Sequence, residues 1–185
     1  MRSINPDQIS IFGPKYEYLI LVSPPKKVVE EIQQIKQKLN SEFGKEICDL
    51  YSIAHITLSS VRSEFEDYPD FVKKLISDVK AFPIKIEGWG RFDIKKKDKK
   101  NYIFYLKINE PLPLVALMKS LKFTNHIPHM TIANNVCSEY LSNVERFFDN
   151  LNYTAEWKCT DLTILRRPVA ERYFPFKEKL SVFLK

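Results

Sequence analysis

A run rich in aromatic and branched residues, Tyr16 to Val22, predicts a first strand. Ser23-Pro24-Pro25 then sets prolines at a helix entrance, and Val28, Val29, Ile32, Ile35 and Leu39 recur at helical spacing toward a stop at Gly44. Cys48 to Ser60 reads as β-like, and Phe65, Phe71, Val72, Leu75, Ile76 and Val79 predict a second helix bounded by Pro83. Ile84 to Ile94 and Tyr102 to Ile108 alternate apolar and polar positions, which predicts a long hairpin around Lys95 to Lys100. Leu114 to Leu121 is a short helix after Pro111 and Pro113. A proline-introduced strand, Pro128 to Ile132, follows, then an amphipathic helix over Ser138 to Leu151, and Ala155 to Leu165 and Leu180 to Leu184 supply closing strands.

The order of elements begins to repeat after the middle of the chain. Residues 1–14, broken by Pro6 and Gly13-Pro14, are a lead-in, and 15–185 are expected to form one bilobal domain. The predicted class is α+β: two pseudo-symmetric lobes, each with a largely antiparallel sheet, flanking a central cleft with helices outside. A chain of 185 residues can bury a core of its own without disulfides or metals.

Composition narrows the function classes. Four glycines, with neither GxGxxG nor GxxxxGK[ST], argue against a glycine-rich phosphate loop. Three widely spaced cysteines, Cys48, Cys137 and Cys159, and no secretory segment at the start fit buried thiols in a reducing, cytoplasmic setting. The longest apolar runs fall far short of the roughly 20 residues of a membrane helix, so no membrane partner is expected. A net charge of +6 favours an anionic partner.

Two tetrapeptides carry chemistry. In a strand His55 and Thr57 point to one face while Ile56 and Leu58 point to the other, and His129 and Thr131 stand likewise against Met130 and Ile132. The apolar pair anchors each strand and the polar pair can face a cleft. Two imidazoles can serve as acid and base near neutral pH, and two hydroxyls can donate to phosphate oxygens, which is what phosphoester cleavage needs without a metal or cofactor. One such tetrapeptide is as readily an ordinary half-buried strand; two arise by chance on the order of once per thousand chains of this composition.

On HITL at 55–58, PHMTI at 128–132, the opening YLILVSPPKKVVEEI and the strand IEGWGRF, the chain resembles the 2H phosphoesterase superfamily, and within it the 2'-5' RNA ligase and cyclic phosphodiesterase group. The resemblance spans residues 16–184. It implies a bilobal fold with one motif per lobe and hydrolysis of 2',3'-cyclic phosphate ends of RNA or nucleotides, with reverse 2'-5' ligation open in principle. It also implies His55 and His129 as catalytic residues and Thr57 and Thr131 as phosphate-binding ones. Two positions depart from the family: Ala54 stands where many members have proline, and Asn134 where a basic residue often follows the second motif.

Other readings are weaker. A zinc site from His126, His129 and Cys137 is disfavoured, because Pro128 interrupts the pair and no CxxC or HExxH accompanies it. The Lys95–Lys100 run is a solvated hairpin tip unless it leans over the cleft, and Arg166, Arg167 and Tyr173 are loop anchors as readily as phosphate or base contacts. A 2'-5' oligoadenylate, a cyclic ADP-ribose phosphate, or binding of nucleotide or RNA without turnover are the competing functions; a monomer is expected.

Overall fold

A computed structural model describes residues 13–44, 47–96, 99–123, 126–171, 175–176 and 178–185. The lead-in falls almost wholly outside them, as do Tyr173 and residues 97–98 of the lysine run. Chain order is β1 (Tyr16–Val22), α1 (Lys26–Phe43), β2 (Ile56–Ser63), α2 (Tyr68–Leu75), β3 (Phe82–Lys96), β4 (Lys99–Asn109), α3 (Leu112–Ser120), β5 (His129–Cys137), α4 (Leu141–Asp149), β6 (Thr154–Cys159), β7 (Asp161–Pro168) and β8 (Glu178–Phe183). β1 and α1 form where the pattern predicts them. Pro25 caps α1 and accepts the first helical bond from Val29, and Gly44, at φ 108°, closes it by donating to the Asn40 carbonyl. α2 is shorter than predicted: Val72 is its one fully buried residue, Ile76 caps it, and of the predicted apolar positions Phe65 lies before its start and Val79 beyond its end.

Two four-stranded antiparallel sheets result, ordered β2-β1-β7-β8 and β5-β4-β3-β6. The orders correspond strand for strand, with a motif strand at an edge of each sheet and the strand that precedes it beside it. The lobes are not consecutive halves of the chain. Residues 82–159 make the second sheet alone, whereas the first joins the N-terminal strands to the C-terminal ones. The segment 155–165 is accordingly two strands in different sheets, broken at Thr160. Its buried positions change phase there, from Trp157 and Cys159 to Leu162 and Ile164, because the chain leaves one sheet face for another.

The two sheets also trade helices. α1, which follows β1, touches β5 of the other sheet, and α3, which follows β4, touches β2. β2 and β5 approach one another between them. Ile56, Leu58, Met130 and Ile132 are all buried in one cluster spanning both sheets, at roughly 1.5–3 kcal/mol of burial each.

Candidate active site

The residues before His55 are irregular, and β2 starts only at Ile56, so the predicted strand from Cys48 is a loop for its first half. Three α1 side chains hold that loop. Asn40 donates to the Cys48 carbonyl and accepts from its N–H at 3.0 and 2.9 Å, Lys36 donates to the carbonyls of Asp49 and Ser52 at 3.2 and 2.7 Å, and Gln33 donates to that of Leu50 at 3.1 Å. Lys36 is buried, which holds its ammonium below the usual lysine range. His55 is thus carried on a loop braced from beneath, followed at once by a strand.

The two motifs share their backbone geometry. His55 Nδ1 lies 2.7 Å from the Ile53 carbonyl and His129 Nδ1 lies 2.6 Å from that of Ile127, each two residues upstream. A carbonyl oxygen only accepts, so both Nδ1 atoms carry the proton, and in the neutral rings Nε2 is the free base. A β-bulge follows each threonine. Thr57 stands opposite Leu21 while Ser59 stands opposite Ile20, which leaves Leu58 unpaired, and Thr131 opposite Tyr105 with Ala133 opposite Phe104 leaves Ile132 unpaired. Bulges re-aim neighbouring side chains and recur beside active sites; no pattern in the sequence marked these two.

The surroundings differ. On the face shared with His129 and Thr131, β3 and β4 present Phe92 and Tyr105, stacked on each other at 4.4 Å, and both rings lie 5.0 Å from the His129 ring. Gly90 faces Tyr105 across the ladder, and a Cβ there would come within 2.6 Å of the tyrosine oxygen. The missing side chain is what lets Tyr105 lie flat over β3. Lys107 pairs directly with His129 in the register, exposed and on the same face. Burial pulls His129 below the ordinary imidazole range; the bond to Ile127 opposes this, and positive charge on His126 or His55 adds to it. Around His55 the matching face of the first sheet offers hydroxyls, with Ser23 and Thr163 hydrogen-bonded at 3.0 Å.

Arg166 binds Glu178 and Glu66, and Arg167 binds Glu17, so both guanidiniums are engaged with carboxylates. His126 stacks on Phe123 at 4.0 Å, and the described residues include no cluster of His, Cys, Asp and Glu able to hold a metal ion. Lys95, Lys96 and Lys99 belong to the β3–β4 ladder, with Lys96 opposite Lys99.

A profile of the 2'-5' RNA ligase superfamily matches residues 24–171, both motifs included. The chain belongs to that superfamily. Solved structures with the same fold lie within the 2H phosphoesterases. TT0787 of Thermus thermophilus is 16% identical with a TM-score of 0.59, over 90% of this chain and 97% of that one. LigT of E. coli, complexed with 3'-AMP, is 12% identical at 0.55, over 92% and 96%. Usb1 of Kluyveromyces marxianus is 12% identical at 0.56, over 92% and 99%. No individually curated protein matches in sequence. The superfamily fold agrees with the α+β, two-sheet architecture described above. None of the helices among the described residues is long and apolar enough to cross a membrane.

Proposed function

We propose that this 2H phosphoesterase superfamily member hydrolyses 2',3'-cyclic phosphate ends of RNA or nucleotides, with His55 and His129 as acid and base and without a metal ion. The observation that carries the reading is the matched pair of Nδ1-to-carbonyl bonds, which fixes one tautomer in both rings and frees both Nε2 atoms. His129, whose surroundings oppose a positive charge, takes the proton of the attacking water. The new P–O bond forms as the bond to one ribose oxygen breaks, and protonated His55 gives its Nε2 proton to that oxygen. A ribose hydroxyl and a phosphomonoester leave, and proton exchange with solvent resets both rings.

Thr57 and Thr131 donate to the non-bridging oxygens, where charge shifts in the transition state. Lys107 contributes a cation beside His129, on the strand next to β5, since Asn134 cannot. LigT of E. coli has been crystallised with 3'-AMP and with phosphate, which supports a nucleotide as the ligand class here. The reverse reaction uses the same groups in exchanged roles. The test is product formation from nucleoside 2',3'-cyclic monophosphates, a cyclic-phosphate-ended oligonucleotide and 2'-5' oligoadenylate, each with and without EDTA. Monoester from the cyclic substrates with undiminished rate in EDTA is the expected result. Turnover of the oligoadenylate alone, or loss with chelator restored by a divalent ion, overturns the proposal.

A further inference from the structure

A cavity of about 970 Å³ lies away from the histidines. It opens where α1 meets the far end of β5, walled by Gln33 and Gln37 of α1, Tyr51 of the loop before His55, and Asn134 and Asn135 of β5. Among the described residues its lining holds no lysine or arginine and one carboxylate, Asp49. Cys48 forms part of the wall, but burial pushes its thiol up to about 12, so at neutral pH it is a packing group.

We propose that this pocket takes an unpaired base of an RNA strand whose cyclic-phosphate end sits at the histidines, an inference that rests on the function proposed above. Side-chain amides set a donor beside an acceptor, as base edges do, and bases of single-stranded RNA are read on those edges while stacked on aromatic rings. The Gln37 and Asn134 amides have no hydrogen-bond partner among the described residues. Asn135 accepts from Asn101 at 3.3 Å through its oxygen, which leaves its N–H2 end as the donor. Tyr51 is 97% exposed and offers a ring for stacking. The place also fits. Tyr51 comes four residues before His55 and Asn134 five after His129, so at ~3.3 Å per residue both lie within roughly 17 Å of the chemistry, a few nucleotides along an extended strand.

The experiment compares kcat/KM for adenosine 2',3'-cyclic monophosphate and for a tetra-adenylate ending in the same cyclic phosphate. The protein is wild type, Tyr51→Ala or Gln37→Ala, with folding checked by circular dichroism. The wild type should favour the tetranucleotide on the order of 10-fold, the scale of one stacked base, and each variant should lose most of that ratio. If both substrates are turned over but the wild type shows no preference, or the variants keep it, the pocket proposal falls and the proposed reaction stands. If neither is turned over, the proposed reaction falls, and binding of the 5'-labelled tetranucleotide by fluorescence anisotropy decides for the pocket. Binding weakened by Tyr51→Ala upholds it; unchanged binding overturns it.

Discussion

The two motifs have the same backbone and different neighbours. Each imidazole is tied to the carbonyl two residues before it, and each threonine precedes a bulge. Yet His129 lies against Phe92 and Tyr105, while His55 follows a loop held by Gln33, Lys36 and Asn40 beside the Ser23 and Thr163 hydroxyls. The difference teaches how a repeated unit acquires two roles. The backbone holds the two imidazoles alike, and the second layer of side chains differs: burial against aromatic rings lowers the pKa of His129, while hydroxyls and a braced loop surround His55.

The largest effects should come from erasing what the halves share. His55→Ala and His129→Ala should each slow turnover of the cyclic substrate by ~10²- to 10⁴-fold, and near-wild-type activity in either variant defeats the two-histidine mechanism. Thr57→Ala and Thr131→Ala should each weaken transition-state stabilisation by ~2–4 kcal/mol, read in kcat, with the circular dichroism spectrum unchanged. Folding survives because Ile56, Leu58, Met130 and Ile132 hold the core, and wild-type rates in both would remove the hydroxyls from the mechanism.

Smaller changes sharpen the asymmetry. Gly90→Ala puts a methyl group into the Tyr105 ring, so the tyrosine must leave its place over His129, and a loss of roughly 10-fold in kcat is expected from the misplaced imidazole. Phe92→Ala should act mainly on pH dependence. In the proposed mechanism the neutral form of His129 is the base, so activity should fall as pH drops through its lowered pKa. Admitting water raises that pKa toward ~6.5 and should move the acid limb of the pH–rate profile upward. A limb that stays put, with the fold intact, would show that the aromatic rings do not control the protonation of His129. Least of all, Lys107→Met should raise KM a few-fold with little change in kcat, as expected for a charge that attracts the phosphate before the reaction.

Much of this was legible in the residues. β1 and α1 stand at their predicted bounds because Pro25 and Gly44 punctuate them, and the two HxT sequences could be read because strand periodicity separates their faces. Pro83 misleads. In the sequence it reads as a boundary, but it is the second residue of β3, paired with Lys158, ahead of the point where β4 joins at Lys85 and asks the backbone for a donor. The pairing of β1 with β7 could not be read, since no local pattern records a partner so distant in sequence. The bulges after Thr57 and Thr131 were hidden for a related reason: a bulge belongs to a pair of strands, not to one. The aromatic brace did leave a trace in Gly90 and Phe92, within the strand singled out at the start, but only the register shows that Tyr105 fills the space Gly90 leaves.

The interleaved topology also bears on how the protein is made. As the chain emerges in order, every strand of the sheet bearing His129 has been synthesised once Cys159 is out, and its most distant pairing, Phe82 with Cys159, spans about half the separation of Glu17 and Arg167. The sheet bearing His55 must wait, since β1 needs β7 as a neighbour and Glu17 meets Arg167 across 150 residues. The amino-terminal histidine of the proposed pair is therefore translated first, yet its sheet is completed last, once β7 and β8 have been made.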